Sequence, residues 1–253
     1  MMTELATLVS TLDTLLDSER FDDYCPNGLQ IEGRAQVRTL VSGVTACEAL
    51  LDAAIERGAD AVLVHHGYFW RGERATITGM RRRRIGKLLD ADISLIAYHL
   101  PLDAHPELGN NAQLARRLGL VATGVMNTDG VGSVGRLDAP LTGAELGERI
   151  ERELGRTPLH VPGRGGESGP IETVAWCTGG AQGMIDRAAD LGVDAYITGE
   201  ASEQTVHVAR ERGLHFFAAG HHATERFGVQ AVGDHLAETL GIRHEFVDVD
   251  NPV

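Results

Sequence analysis

One segment of the sequence combines an apolar run with residues that can bind a metal ion. Residues 214–219 are mostly apolar and predict a buried strand, and residues 224–240 predict a helix. If the helix begins at or just before His222, His221 and Glu225 lie four positions apart and can face the same point. An imidazole and a carboxylate that converge at such a turn can bind a divalent metal ion.

A second histidine pair repeats this arrangement earlier in the chain. His65 and His66 also end an apolar run, and the next apolar run is followed by His99 and, four residues later, Asp103. In an open α/β sheet, binding sites lie outside the carboxyl ends of the strands. For one histidine pair alone, two polar residues near a turn are the favoured explanation, whereas the repetition at several strand ends favours metal binding.

The candidate ligands comprise three imidazoles and two carboxylates. This set is too large for one tetrahedral zinc ion that keeps an open position. It fits two divalent ions roughly 3.5–4 Å apart with one bridging carboxylate, and it suits zinc, iron, manganese or nickel. The predicted metal ligands are His65, His66, Asp103, His221 and Glu225.

Several polar residues near these strand ends are left without a ligand role. His99 could contact substrate, transfer a proton or support a ligand, and Glu200 could bond a ligand histidine or act as a general base. We select His99 and Glu200 as the candidate catalytic residues, although a structural role explains each of them as well. His105 and His222 fit a structural role.

Predicted strands and helices alternate along most of the chain, which is typical of an α/β fold with mixed, largely parallel sheets. The pattern weakens from residue 121 to 170, and two prolines predict an irregular loop over 99–106. The predicted strands are 40–45, 61–64, 93–98, 174–177, 195–198, 214–219 and 245–249, and the predicted helices are 3–16, 48–57, 82–89, 110–118, 143–154, 183–191, 202–211 and 224–240.

A weak internal repeat points to two related lobes. Residues 44–66 align without gaps onto 178–200 with five identities, which shared α/β patterning could also produce. In both halves the aligned strand ends in candidate ligands. We therefore predict a first α/β lobe over residues 1–124 and a second over 125–253, with the C-terminal segment packing back on the first lobe.

Composition limits the functional classes. The chain has 253 residues, of which 43% are hydrophobic and 23% are charged. Its formal net charge of −13 disfavours binding to nucleic acid, because the phosphate backbone is also negatively charged. No apolar run approaches the roughly 18 residues of a membrane span, and the N-terminal residues lack the basic region of a secretory signal. We therefore expect a cytoplasmic protein with no membrane partner and with reduced thiols at its three cysteines.

One local basic cluster, Arg81–Arg84, contrasts with the net negative charge of the chain. Four consecutive arginines at a helix start are usually solvated or contact another subunit. The cluster could instead attract the phosphate groups of a nucleotide or another small phosphorylated substrate.

The motifs as a set resemble the Nif-three-like family, whose bacterial members are labelled homologs of the type 2 GTP cyclohydrolase I. The resemblance implies a ring-like homohexamer with two metal ions per chain facing an interior cavity. It also implies that His66 and Asp103 hold one metal, that His65 and His221 hold the other, and that Glu225 bridges them. The matching segments are 27–30, 64–67, 98–103, 110–111, 202–204 and 219–225.

Two functional classes follow from these residues. The first is a metal-dependent hydrolase, which the family label would make similar to a GTP cyclohydrolase that opens the purine ring and releases formate. The second is a metal-containing hexameric scaffold or adaptor that binds a protein or nucleic-acid partner. A metal chaperone that exchanges its metal readily is a third hypothesis.

Overall fold

The computed structural model describes residues 1–253, which form the following strands and helices. In chain order these are β1 (Thr3–Glu4), α1 (Leu5–Leu16), β2 (Gly28–Ile31), β3 (Gln36–Val37), β4 (Thr39–Thr45), α2 (Glu48–Glu56), β5 (Ala61–His66), α3 (Gly79–Asp90), β6 (Ser94–Ala97), α4 (Leu100–Ala104), α5 (Asn110–Leu118), β7 (Leu120–Val125), β8 (Ser133–Thr142), α6 (Gly143–Leu154), β9 (Leu159–Val161), β10 (Pro170–Trp176), α7 (Ile185–Asp190), β11 (Ala195–Thr198), α8 (Glu203–Arg212), β12 (His215–Ala218), α9 (His221–Leu240) and β13 (Arg243–Phe246).

The chain divides into two compact units. Unit 1 contains residues 1–109 and 228–250, and unit 2 contains residues 110–227 and 251–253. This division differs from the sequence-based boundary between residues 124 and 125. The difference arises because α5 and β7 belong with unit 2, where β7 pairs with β8 over a long antiparallel ladder.

Unit 1 is built on a five-stranded sheet in the order β13-β4-β5-β6-β2. The β13–β4, β4–β5 and β5–β6 pairings are parallel, and β2 pairs with β6 antiparallel. The parallel strands therefore bring their carboxyl ends, at Thr45, His66 and Ala97, to one edge of the sheet.

The core of unit 1 explains why its first helix forms. Leu5, Leu8, Leu12 and Leu16 recur at helical spacing, and all four are buried in one cluster with residues of the sheet such as Leu40. Full burial of each leucine stabilises the fold by about 1.5–3 kcal/mol relative to exposure. The helix predicted for residues 3–16 is therefore confirmed over Leu5–Leu16.

Unit 2 is built on a six-stranded sheet in the order β7-β8-β10-β11-β12-β9. Strands β10, β11 and β12 run parallel, whereas β7, β8 and β9 make antiparallel pairings. Together the two units confirm a mixed α/β fold with mixed, partly parallel sheets. The internally repeated segments both include a helix followed by a strand that pairs in parallel with the strand before the helix.

Two local predictions differ from the structure. The segment predicted as an irregular loop over 99–106 contains the short helix α4, which tolerates Pro101 because the proline lies in the first turn, where no helical N–H bond is needed. The weakly patterned region contains the long hairpin β7–β8. Most of β7 is exposed, so that it lacks the apolar alternation by which strands are recognised.

None of the helices combines the length and the apolar composition that crossing a membrane would require.

Candidate metal centre

His65 is fixed at the end of β5 by the backbone of the next strand. Its side chain is fully buried, and its Nδ1 lies 3.0 Å from the carbonyl oxygen of Tyr98. A carbonyl oxygen only accepts hydrogen bonds, so that Nδ1 carries the proton and Nε2 presents its lone pair. That Nε2 lies 3.5 Å from Oδ1 of Asp103, which α4 carries.

His66 and His99 complete an imidazole cluster, which we define as His65, His66 and His99. One ring nitrogen from each of the three lies within 4.8 Å of the others. His66 Nδ1 lies 3.2 Å from the hydroxyl oxygen of Thr45 on the neighbouring strand. Three imidazoles from the ends of two adjacent parallel strands thus converge, and a ligand role for His65 and His66 stays a prediction.

Asp23 orients His99 and was not recognised in the sequence. Its carboxylate accepts a hydrogen bond from His99 Nδ1 at 2.7 Å and from the backbone N–H of Leu100 at 2.8 Å, and Asn27 donates to it at 3.0 Å. Burial alone would raise the pKa of Asp23, but the bonds from His99, Asn27 and Leu100 outweigh it and lower the pKa. Asp23 therefore stays ionised beside His99.

Cys25 lies close to the same carboxylate and imidazole. One potential ligand atom from each of Asp23, Cys25 and His99 lies within 4.8 Å of the other two. Burial, together with the charge of Asp23, raises the pKa of the Cys25 thiol to about 12. Metals bind the thiolate and not the thiol, so Cys25 would have to release its proton to act as a ligand.

In unit 2, His221 is the first residue of α9 and lies between two carboxylates. Its Nδ1 is 2.6 Å from Oε1 of Glu200, and its Nε2 is 3.2 Å from Oε2 of Glu225 one helical turn later. Burial alone would lower the pKa of His221, but hydrogen bonds and charge from Glu225 and Glu200 raise it to about 9. Glu200 is itself bonded by the side chain of Gln182 at 3.1 Å.

Gly179 leaves room for these side chains. It follows β10 with a left-handed φ of 69°, and a Cβ at this position would overlap the carboxylate of Glu225 and approach His221 Nε2 to 3.0 Å. Its backbone N–H donates to the hydroxyl of Thr224 at 3.0 Å, which fixes the glycine against the first turn of α9. The sequence contained no signal for this requirement beyond the glycine pair itself.

The two units share one arrangement of donor atoms. In unit 1 the Nδ1 of His65 is engaged by a carbonyl and its Nε2 faces Asp103, and in unit 2 the Nδ1 of His221 is engaged by Glu200 and its Nε2 faces Glu225. At His65 the engaged Nδ1 leaves a nitrogen lone pair that faces a carboxylate oxygen. The raised pKa of His221 keeps a proton on its Nε2 in the metal-free protein, and a metal ion can replace that proton. A cation between the ring nitrogen and the carboxylate oxygen is attracted by both atoms. The residues therefore fit a divalent metal ion with nitrogen and oxygen ligands.

The remaining histidines of interest have local structural contacts. His105 Nδ1 accepts hydrogen bonds from the backbone N–H groups of Glu107 and Leu108 at 3.2 and 3.0 Å. The backbone N–H of His222 donates to the carbonyl oxygen of Val253 at 3.0 Å. These contacts are consistent with the structural role expected for both.

The arginine cluster is partly neutralised by acidic residues of unit 1. Arg81 lies 3.7 Å from Glu73, and Arg83 lies 3.7 Å from Glu48. The guanidinium group of Arg81 also lies 4.8 Å from the centre of the Phe69 ring. A phosphate-binding role for Arg81–Arg84 stays a prediction.

Comparison with known proteins identifies the family. Residues 3–252 match the family described as Duf34/NIF3 (NGG1p interacting factor 3). The chain belongs to this family. A Pseudomonas aeruginosa relative named "GTP cyclohydrolase 1 type 2 homolog" is 58% identical over 252 residues, which cover 98% of each chain.

Solved structures agree with the fold of this family member. The protein ybgI, described as of unknown function, is 52% identical with a TM-score of 0.96 and covers 99% of this chain and 100% of its own. A protein from Thermus thermophilus is 35% identical with a TM-score of 0.91 over the same shares. The resemblance recognised in the motifs is thereby confirmed.

Proposed function

We propose that this DUF34/NIF3 protein is a dinuclear-metal-dependent hydrolase. The observation that carries the proposal is the repeated arrangement of a histidine whose Nδ1 is engaged and whose Nε2 faces a carboxylate, at 3.5 Å for His65 and Asp103 and at 3.2 Å for His221 and Glu225. Asp103 and Glu225 are both buried, and a cation beside a buried carboxylate stabilises its charged form.

The proposed ligands are those that the family resemblance implied. His66 and Asp103 would hold one ion, His65 and His221 would hold the other, and Glu225 would bridge the two. When bound, two such ions supply a water molecule activated as a nucleophile at neutral pH. Glu200 then acts as a positioning residue, because its carboxylate fixes Nδ1 of His221 and turns Nε2 towards the ligand side.

His99 is the proposed proton-transfer residue. Its Nδ1 is bonded to Asp23, which fixes the ring orientation and leaves Nε2 as the atom that accepts or donates a proton. Its ring centre lies 5.1 Å from that of His65, so that the transferred proton would move next to the proposed ligands.

The substrate class is taken from the name of the relatives, and a purine nucleotide similar to GTP is the first candidate. Hydrolysis would consume two water molecules. The first adds to C8 and breaks one C8–N bond, which opens the five-membered ring, and the second breaks the other C8–N bond and releases C8 as formate. Each ring nitrogen leaves with a proton, which His99 is placed to supply.

Metal content and GTP turnover, measured on one preparation purified without added metal, test this function. We expect two metal ions per chain and formate release by the wild type, and loss of metal with loss of formate in Glu225→Gln and in His66→Ala. Glu238→Gln is the matched control, because Glu238 is exposed on the same helix, α9.

Other outcomes of the same experiment discriminate between the functional classes. Two metal ions without formate would keep the metal centre but exclude GTP as the substrate. Turnover of a panel of phosphoesters and small cyclic amides would then distinguish another hydrolase from the hexameric scaffold or adaptor. Absence of metal from the wild type after gentle purification would contradict the metal centre. Native mass spectrometry of the same samples tests the proposed homohexamer, which should appear as a single species of six chains.

A further inference from the structure

An aromatic side chain lies directly beside the imidazole cluster. The ring centre of Trp70 is 4.9 Å from that of His99, with the planes at 82°, and 5.9 Å from that of His66. Trp70 is only partly buried. A partly exposed indole next to the proposed reacting groups offers a flat apolar surface where a substrate would enter, and this inference rests on the function proposed above.

The indole is held in place by its own loop. Its Nε1 donates to the carbonyl oxygen of Gly67 at 3.2 Å, and its backbone N–H donates to Glu73 at 3.2 Å. The preceding residue, Phe69, has a left-handed φ of 67°, which costs an aromatic residue backbone energy. Backbone strain of this kind at a site is expected where a side chain must be directed to a particular place.

A second segment secures this loop and adds another aromatic ring. The backbone N–H of Arg71 donates to the carbonyl oxygen of Tyr24 at 2.6 Å, and its guanidinium group donates to the carbonyl oxygen of Asp23 at 3.0 Å. Tyr24 is 57% exposed, and its ring lies edge-on to that of His99 with a centre distance of 6.2 Å. His99 is thus flanked by two exposed or partly exposed aromatic rings from two segments.

The second tryptophan shows what a purely structural indole looks like in this chain. Trp176 is fully buried in the core of unit 2, and its Nε1 donates to a backbone carbonyl at 3.0 Å. Trp70 belongs to no buried apolar cluster of unit 1 and contacts polar imidazoles instead. Core packing therefore does not explain its position.

We propose that Trp70, with Tyr24 beside it, is the stacking surface for a planar heteroaromatic ring of the substrate, in the first instance a purine base. Aromatic side chains bind bases through their flat faces whatever the base, and each such stack strengthens binding by about 5- to 150-fold. The ring would lie next to His99, the residue proposed to supply protons to the opened base.

Tryptophan fluorescence tests the proposal directly, because the chain has two tryptophans and Trp176 is shielded. We would titrate the metal-loaded protein with GTP, guanosine and inorganic triphosphate. We expect saturable quenching by GTP and by guanosine and none by triphosphate. The quenching should be absent in Trp70→Leu, and GTP should bind that variant about 5- to 150-fold more weakly.

Two further variants keep the result interpretable. Trp70→Phe retains a flat ring and should bind GTP nearly as well as the wild type, whereas Ile77→Ala alters another exposed apolar residue of the same loop and should change nothing. Metal content should equal that of the wild type in all three variants, since none of these residues is a proposed ligand.

The outcomes separate this inference from the proposed function. GTP binding and formate release that are unaffected by Trp70→Leu would overturn the stacking role and leave the hydrolase intact. Base-dependent quenching without formate would support the stacking role and contradict the cyclohydrolase activity. No quenching by GTP or guanosine in the metal-loaded wild type would overturn the inference.

Discussion

Asp23 and His99 lie 76 residues apart in the chain, and a hydrogen bond of 2.7 Å joins Asp23 Oδ1 to His99 Nδ1. The same carboxylate receives the backbone N–H of Leu100 at the start of α4, so that it orients both the imidazole and the helix that carries Asp103. A residue outside the proposed ligand set thereby determines the geometry of two functional side chains.

The variant Asp23→Asn should separate orientation from metal binding. An amide cannot accept all the bonds that the Asp23 carboxylate accepts, so we expect kcat for the proposed reaction to fall roughly 10- to 100-fold. Metal content should not change, because His99 is not a proposed ligand and an amide oxygen can still accept the backbone N–H of Leu100 that positions α4 and its Asp103. Asp22→Asn is the control, since the Asp22 side chain is 93% exposed. Equal effects of both variants would contradict the positioning role.

The variant Gly179→Ala should weaken metal binding through Glu225. Its Cβ would overlap the Glu225 carboxylate, whereas Gly192→Ala places a Cβ at a similar φ of 71° with no heavy atom within 4 Å. Both variants carry a similar backbone cost of about 1 kcal/mol. Gly179→Ala must in addition displace the buried Glu225 carboxylate, so its thermal unfolding should shift further than that of Gly192→Ala, and metal loss confined to Gly179→Ala is the expected result. Full metal occupancy in Gly179→Ala would contradict the assignment of Glu225.

Metal binding should depend on pH through His221. The pKa of His221 in the metal-free protein is raised to about 9, so the ring is protonated at neutral pH, whereas a metal binds the neutral ring. We expect the apparent association constant to rise about tenfold per pH unit up to about pH 9, with release of one proton per chain. Calorimetric titration in two buffers of different ionisation enthalpy measures that proton.

The same pKa shift affects the stability of the metal-free protein in the opposite sense. A folded-state pKa above the unfolded value of about 6.5 stabilises the fold fully below that value, and the stabilisation is lost as the pH rises from 6.5 to 9. Glu200→Gln removes one source of the raised pKa and should move both effects to lower pH. A metal affinity that is constant between about pH 6.5 and 9 would contradict this interpretation.

A histidine pair in unit 2 should make the protein sensitive to acid. His160 Nε2 lies 3.1 Å from His215 Nδ1, and burial, reinforced at His160 by the neighbouring His215, lowers the pKa of both rings. The unfolded chain therefore binds more protons below about pH 6.5, and the free energy of unfolding should fall as the pH drops below that value.

Replacing one ring of this pair tests the prediction. His160→Phe keeps the stacking on Phe217, whose ring centre lies 4.2 Å away, and should reduce the acid-side loss of stability. Urea unfolding followed by Trp176 fluorescence in a Trp70→Phe background reports on unit 2. His207→Gln is the control at an exposed histidine. An unchanged pH dependence in His160→Phe would exclude this pair as the cause.

Local sequence pattern was sufficient for the elements that carry four of the five proposed ligands, whereas α4, which carries Asp103, was predicted as an irregular loop. The apolar run before His65 predicted β5, and the helical pattern after His221 predicted α9, so that the i, i+4 relation of His221 and Glu225 could be expected. The ligand set itself stays a prediction. The roles of His65 Nε2 and His221 Nε2 become visible only when the partners of each Nδ1 are known.

Long-range contacts account for what the sequence did not reveal. Asp23 lies in a segment recognised only as a turn, and nothing in its neighbourhood indicates a bond to His99. Gly179 is required by a side chain of α9 that lies 46 residues further along the chain, and this requirement depends on packing rather than on pattern. The β7–β8 hairpin was missed because exposed strands carry no apolar alternation.

The pairing of β13 with β4 has a consequence for the order in which the two units can fold during synthesis on the ribosome. Arg243 lies beside Thr39, and the core of unit 1 includes Val229, Leu236 and Ile242. Unit 1 therefore cannot complete its sheet until residues 229–246 have emerged, whereas unit 2, whose main segment lies between the two segments of unit 1 in the sequence, has most of its chain by residue 227. Until β13 has been synthesised, β4 lacks this partner, and an unpaired strand edge is prone to aggregation.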